Sequence, residues 1–279
     1  MKFTGTKDIK SFVNDFIRNH QTLFANKVVI DVPAGTGITS TSLLNCGAKV
    51  EAFDLFPAFF KENRITCNYC DLTESLPLAD NYADYIICQE GIEHFSDQIK
   101  VLKEINRVLK PNGILLITTP NYSNIKAKLS YLFAESEYVG KLMPPNELDD
   151  VWYSEDGSNK IYYGHLFLIG IQKLRVFSKM ANFSIKEIHS VRANMLSTIL
   201  LPLFYPLIIW LNKKTKTKAL NRHMSNLNKA EEVYGEIYKL NTHIGILRSS
   251  HLFVELKKDI SIVSNWSINN KIKSTDSIT

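Results

Sequence analysis

The sequence predicts an α/β protein built on a doubly wound, largely parallel sheet, and three observations carry that expectation. Apolar runs of strand length alternate with helical patterns from Lys7 to Thr119, the rhythm of βαβ units. The runs, VVIDV at Val28–Val32 and ADYIIC at Ala83–Cys88 among them, are apolar nearly throughout, as suits strands covered on both faces. Glycines and acids gather where the runs end, the edge at which such sheets bind ligands.

Taken in order, Ile9, Phe12, Val13, Phe16 and Ile17 recur at helical spacing, so Lys7–His20 reads as an amphipathic helix. Val28–Val32 is a strand that ends in Pro-Ala-Gly-Thr-Gly, and Thr39–Cys46 is a helix stopped by Gly47. Lys49–Phe53 is a strand ending at Asp54, and Ile65–Tyr69 one ending near Asp71. Ala83–Cys88 leads into the polar turn Gln89–His94. Ser96 then offers an N-cap for a helix with Ile99, Leu102, Ile105 and Leu109 on one face. Lys110-Pro111-Asn112-Gly113 stops that helix, and Gly113–Thr119 is the next strand.

Beyond Pro120 the periodicity weakens, and Asn121–His165 reads as a substrate cap rich in Tyr, Asn, Pro and acids. Ile171–Met180 is a helix, Phe183–Ile188 a strand, Ala219–Leu240 a polar helical stretch and His251–Leu256 a last strand. The polar tail from Lys257 is expected to be loosely ordered at its end. The expected division is a core over 1–190 with its cap at 121–165, an apolar and basic insertion at 191–249, and the last strand with the tail at 250–279.

Bulk properties narrow the class. A chain of 279 residues can bury one large core, and 45% hydrophobic with 22% charged residues is ordinary for a globular protein. MKFTGTKDIK carries charges and no apolar run, which argues against a secretory signal. Cys46, Cys67, Cys70 and Cys88 are too scattered for a disulfide framework, so a reduced cytoplasmic setting is expected. Cys67 and Cys70 form a lone C-x-x-C without a second pair, which reads as two small side chains rather than a zinc site.

At the strand ends, Gly35 and Gly37 let the backbone turn sharply and approach a ligand. Asp54 closes the next strand, where a carboxylate can accept from both hydroxyls of a ribose, and Asp71 after the third can accept from an adenine amino group. On these residues the sequence resembles class I S-adenosylmethionine-dependent methyltransferases. The resemblance runs over Lys27–Asn121: DVPAGTG (Asp31–Gly37), Asp54, DLTESLPLADNYADYIICQEGIEH (Asp71–His94) and RVLKPNGILLITTPN (Arg107–Asn121). Within that superfamily it is most similar to the branch containing quinone-biosynthesis methyltransferases.

The resemblance implies a Rossmann-like, mostly parallel seven-stranded sheet with an antiparallel last strand, and S-adenosyl-L-methionine as cofactor. It implies that Asp31, Ala34, Gly35 and Gly37 shape the methionine and ribose pocket. Asp54 would hold the ribose and Asp71 with Leu72 the adenine, and Leu55 and Gln89 complete the cofactor-binding set. Pro33 departs from the glycine of many relatives, locking φ and removing an N–H at the turn. A nicotinamide dinucleotide is the weaker alternative, because Gly35-Thr-Gly37-Ile-Thr-Ser40 lacks the third glycine of that fingerprint.

Methyl transfer is an in-line displacement, and a hydroxyl acceptor must also lose its proton, work suited to His near neutral pH. His94, closing EGIEH, and His165, in YYGHLF, are the candidate catalytic bases. In the quinone O-methyltransferases the acids matching Glu90 and Glu93, with His94, are associated with a divalent metal. Here Glu93 reads instead as a structural acid of the loop, and no metal ligand is assigned. His20, His189, His223, His243 and His251 form no evident constellation.

Met195–Leu211, MLSTILLPLFYPLIIWL, is seventeen residues without a charge, followed at once by Asn-Lys-Lys-Thr-Lys-Thr-Lys. A spanning helix needs about 20 apolar residues, and Pro202 and Pro206 are expected to break one. Two readings stay open: an interfacial element giving peripheral membrane contact through 195–218, and a buried hairpin or dimer contact. From Val191 to Ala230 there are seven Lys or Arg and no Asp or Glu; without them the net charge of +5 becomes −2. These basic residues flank a greasy segment rather than stacking positions, so no nucleic acid partner is expected. The expected function is O-methylation of a small or lipid-linked acceptor, a glycan or quinone precursor, in the cytoplasm at the inner face of the membrane. The alternative from another class is a non-catalytic, membrane-attached binding module on the same fold.

Overall fold

The computed structural model describes residues 8–136, 144–153 and 160–259. Its strands in chain order are β1 (Val28–Asp31), β2 (Lys49–Asp54), β3 (Cys67–Tyr69), β4 (Ala83–Gln89), β5 (Leu109–Pro120), β6 (Val151–Tyr153), β7 (Ile161–Tyr163), β8 (Phe183–Ile188) and β9 (His251–Lys258). The helices are α1 (Ile9–Asn19), α2 (Gln21–Phe24), α3 (Ile38–Asn45), α4 (Gln98–Val108), α5 (Ile125–Ala134), α6 (Glu147–Asp150), α7 (Ile171–Met180), α8 (Met195–Arg222), α9 (Leu227–Asn241) and α10 (Ile244–Arg248).

Seven strands form one sheet in the order β3-β2-β1-β4-β5-β9-β8, and β6 with β7 forms a separate hairpin. β1 to β5 pair in parallel, while β9 lies between β5 and β8 and runs antiparallel to both. This is the Rossmann-like, mostly parallel arrangement expected. The chain moves outward from β1 to β3 and then crosses back to β4 on the other side of β1. The resulting switch point leaves a crevice at the carboxyl ends of β1 and β4.

Alternate residues of each strand feed two cores, one on each face. Ile30, Ile86, Leu115 and Val254 pack with Leu102 and Ile105 of α4 and Leu174 of α7. Their neighbours Val29, Ile87, Leu116 and Phe253 pack with Val13 and Ile17 of α1 and Leu43 of α3. A strand buried on both faces has no polar side to show, which is why these segments read as continuous apolar runs.

Several local expectations change. Asp97, not Ser96, caps α4, its Oδ1 accepting the Lys100 N–H at 2.9 Å. β5 starts at Leu109, ahead of Gly113. The polar stretch Ala219–Leu240 divides at His223, where α8 ends and a short turn leads to α9. Pro202 and Pro206 do not break the insertion: α8 runs through both for 28 residues. Nor is α8 a buried hairpin, for Ser197 is its one buried residue. All four cysteines are free thiols. Of the tail expected from Lys257, Lys257 and Lys258 belong to β9, while 260–279, like Lys7 of the expected first helix, lie outside the described residues.

The insertion leaves and re-enters at the ligand edge. Asn121, just past β5, is fully buried and donates through Nδ2 to the carbonyls of Ile246 (2.8 Å) and Ser249 (2.9 Å). Asn124, equally buried, caps α5 and donates to Ser249 O at 3.0 Å. Two asparagines thus tie the end of β5 to the segment that starts β9.

Candidate active site

The turn after β1 is shaped by two glycines in left-handed backbone, Gly35 (φ +52°) and Gly37 (φ +82°), a region other residues enter at a cost. At Gly37 a Cβ would also come 2.8 Å from the Phe60 ring. The buried Asp54 carboxylate braces the turn, accepting the Gly35 N–H (2.7 Å) and the Phe56 N–H (2.8 Å) on separate oxygens. A carboxylate has about four acceptor positions, so two amides leave capacity for a ligand's hydroxyls.

Above this turn lies a cavity of about 650 Å³, within the ~300–1,000 Å³ typical of small-molecule sites. Of the residues expected to bind cofactor, Ala34, Gly35, Asp54, Leu55, Asp71 and Gln89 line it, and His94 lines its far side. Asp31, Gly37, Leu72 and His165 are not on the wall. Leu72 belongs to the core. Asp31 lies beneath the floor, 1% exposed, accepting the Ser40 hydroxyl at 2.6 Å. Burial first, then the charge of Asp54, push its carboxyl up to about 7.

Gln89 is held by Thr39, whose hydroxyl donates to Oε1 at 2.8 Å. Its Nε2 is buried with no partner among the described residues. A buried donor without an acceptor is costly, so an occupant that presents an oxygen here is favoured.

The far side is assembled from distant segments. His94 lies in the turn after β4, and its Nδ1 sits 2.7 Å from the carbonyl of Tyr163 in β7. A carbonyl only accepts, so Nδ1 carries the proton and the neutral ring keeps Nε2 as a base. The His165 ring is 5.3 Å from that of His94, centroid to centroid. Its pKa is lowered by burial and then by the charge of His94. Glu93 is fully buried; Oε2 accepts the Thr119 hydroxyl at 3.0 Å and Oε1 has no partner in the protein. Burial, with Glu90 nearby, pushes its carboxyl up to about 8. Glu93, His94 and His165 each offer a ligand atom within 4.8 Å of the others, a donor set able to hold a divalent cation.

Glu90, from left-handed backbone (φ +50°), makes hydrogen bonds of its own beside that trio. Its Oε1 accepts the Thr118 hydroxyl at 2.9 Å and its Oε2 lies 3.3 Å from His251 Nε2. The view that the remaining histidines form no constellation is therefore corrected: His251 pairs with Glu90, and His189 with Glu255 at 2.8 Å. The signal for His251 was its place opening a strand that starts at the ligand edge. Also unforeseen was the packing of Pro33 on Gly91, where a Cβ would come 2.6 Å from Pro33 Cδ. The proline of the first turn and the glycine of the second form one wall. Trp152, Ile161 and Tyr162 of the β6–β7 hairpin roof the cavity, with Tyr162 5.3 Å from Phe56.

A doubly wound sheet with an antiparallel strand beside β5, a glycine turn after β1 and acids closing the next two strands defines the class I methyltransferase type of Rossmann-like fold. Residues 30–117 match the family described as methyltransferase domain, and it is this stretch that carries the likeness. Among curated proteins the chain is similar to a ubiquinone biosynthesis O-methyltransferase of Rickettsia bellii, 28% identical over 148 residues, covering 50% of this chain and 60% of that protein. Its counterpart in Paraburkholderia phymatum is 32% identical over 134 residues, covering 44% and 56%. The chain thus spans less than two thirds of the length of these relatives. A solved S-adenosylmethionine-dependent methyltransferase from Archaeoglobus fulgidus shares the fold, with TM-score 0.52 and 15% identity over 92% of this chain and 96% of that one.

The residues present fit that cofactor. Asp54 has spare acceptor capacity, Gln89 has an unanswered donor and Asp71 lines the wall beyond β3, groups with which the hydroxyls and amino group of a nucleoside can pair.

Proposed function

We propose that this protein transfers a methyl group from S-adenosylmethionine to a hydroxyl of a small or lipid-linked acceptor, a quinone-like ring or a glycan head. The observation that carries the reading is the fixed tautomer of His94, which lines the same cavity as Asp54 and Gln89. When bound, S-adenosylmethionine supplies an electrophilic methyl on a sulfonium. Asp54, Leu55 and Asp71 would hold its nucleoside, and Gln89 Nε2 would donate to an oxygen of it. His94 Nε2 takes the proton of the acceptor hydroxyl, while the Tyr163 carbonyl keeps the ring from rotating. Glu93 and His165 stand beside it, each offering an atom within 4.8 Å of the others. Trp152 and Tyr162 cover the cavity and exclude water that would compete for the proton and loosen alignment.

The names of the curated relatives support oxygen as the acceptor atom. A cavity of about 650 Å³ must also hold the cofactor, so it takes the head of a lipid-linked acceptor and leaves the tail outside.

The test is transfer of labelled methyl from S-adenosylmethionine into phenolic and lipid extracts. His94→Ala should lower kcat by about 10²–10⁴-fold with cofactor affinity unchanged by calorimetry. Turnover of the variant within about threefold of wild type removes His94 as the base.

A further inference from the structure

We propose that α8 docks this protein flat on an anionic lipid membrane, through a stripe left exposed by the described residues. Met195, Ile199, Leu203, Leu207 and Trp210 follow one another at helical spacing and are 77%, 65%, 71%, 49% and 57% exposed. They form one line about 23 Å long at a rise of 1.5 Å per residue. The apolar window of this helix has a mean hydropathy of 1.7, and 6% of it is buried.

The other face of α8 is committed to the protein. Ser197 Oγ accepts the Lys126 N–H of α5 at 3.0 Å, the Tyr205 hydroxyl donates to Thr242 O at 3.2 Å, and Asn241 donates to Asn212 Oδ1 at 2.7 Å. A helix spanning the bilayer would have to break these bonds or carry them into hydrocarbon, where nothing replaces them. Pro202 and Pro206 lie exposed on the outer side. Neither can donate to the carbonyl four residues before it, so those carbonyls suit a wet headgroup layer and not a membrane core. Length and composition would allow a span; the contacts select an orientation in the plane.

Charge identifies the occupant. The stripe ends at Trp210, with Lys214 Nζ 5.2 Å from the centre of its ring. Lys213, Lys214 and Lys218 follow, all exposed, and no acid occurs between Val191 and Ala230. Apolar side chains in the acyl boundary, an aromatic at the interface and lysines among phosphates are the pattern of an interfacial helix on anionic lipid. α5, packed along α8, adds Leu132 and Phe133, 72% and 78% exposed. Because Asn121 and Asn124 fix the insertion to the ligand edge, docking brings that edge to the lipid surface. Only that last consequence, delivery of a lipid-linked acceptor, rests on the function proposed above.

The experiment is flotation of the full chain with vesicles of phosphatidylcholine alone and of phosphatidylcholine with about one quarter phosphatidylglycerol. The protein should float with the anionic vesicles, and less so as salt is raised. Leu203→Asp with Leu207→Asp should cut binding by about tenfold or more, and Lys213→Glu with Lys214→Glu and Lys218→Glu severalfold. Calorimetry with S-adenosylhomocysteine should give wild-type affinity for every variant, showing an intact fold. Wild-type protein that stays at the bottom, or variants that float as wild type does, overturns the proposal. So does a dimer in sedimentation equilibrium that Leu203→Asp dissociates, since the stripe would then face a second copy. Vesicle binding without methyl transfer into lipid extract leaves docking standing and overturns the acceptor reading; the converse result does the reverse.

Discussion

The two halves of the cavity are built by different means. On the side proposed for the cofactor, Ala34, Gly35, Asp54 and Leu55 belong to two neighbouring strand ends, and one carboxylate braces the turn through two backbone amides. On the side proposed for the acceptor, a turn after β4, the strand β7 and the start of β9 meet: His94 with Tyr163, Glu90 with His251. The first half depends on backbone conformation held by short-range bonds. The second depends on side chains that meet only after the sheet and cap have closed. Substitutions in one half should therefore affect binding and those in the other should affect turnover.

The strongest test of that division is a pair of variants measured side by side. His94→Ala should lower kcat by about 10²–10⁴-fold and leave the affinity for S-adenosylhomocysteine unchanged. Asp54→Ala should weaken that affinity by about 10–100-fold, the worth of hydrogen bonds to a charged group at about 1.5–3 kcal/mol. It should also lower the melting temperature, because the Gly35 and Phe56 amides lose their acceptor. Equal losses of affinity and turnover in both variants would mean that the cavity works as one unit.

The same division explains how much could be read without coordinates. The sheet was legible because strands covered on both faces are apolar throughout, and the cofactor half because its glycines and acids sit at strand ends. The acceptor half was legible only in part. His94 and His165 stood out as histidines near strand ends, but their pairing at 5.3 Å depends on how the cap folds back. For His251 the place at the start of a strand was the one signal, and nothing local pointed to its partner: Glu90 is distant in sequence, and the antiparallel placement of β9 beside β5 brings them together. α8 was misjudged for another reason. Proline was expected to end it, yet the inner-face bonds through Ser197, Tyr205 and Asn212 hold the helix through both prolines.

Beneath each half lies a buried acid, Asp31 under the first and Glu93 under the second, with carboxyls pushed up to about 7 and about 8. For Asp31 the sign follows from proton linkage. Its folded pKa is above its unfolded value, so the folded state holds the proton longer. Its contribution to stability is complete below about pH 4 and is lost as pH rises to about 7, amounting to about 4 kcal/mol at most. Asp31→Asn keeps an acceptor for the Ser40 hydroxyl and has no proton to lose. Urea unfolding should show the variant gaining on wild type as pH rises from about 4 to about 7, up to that amount. A constant difference across the range would place the titration elsewhere.

Glu93 permits a smaller and sharper test, because its two causes can be separated. Burial is the larger and the charge of Glu90 the second. Glu90→Gln removes that charge and retains an oxygen for the Thr118 hydroxyl. The Glu93 midpoint, followed by carboxyl carbon chemical shift, should then move down from about 8 while staying above the ordinary Glu range, since burial persists. In the variant, a larger share of Glu93 is ionised at neutral pH, facing His94 and His165. His251 also loses the carboxylate that lies 3.3 Å from its Nε2. A midpoint that stays where it was would mean that burial alone sets the Glu93 proton. Glu90 would then act only on His251 and Thr118, and the acceptor half would contain two independent acids rather than one coupled set.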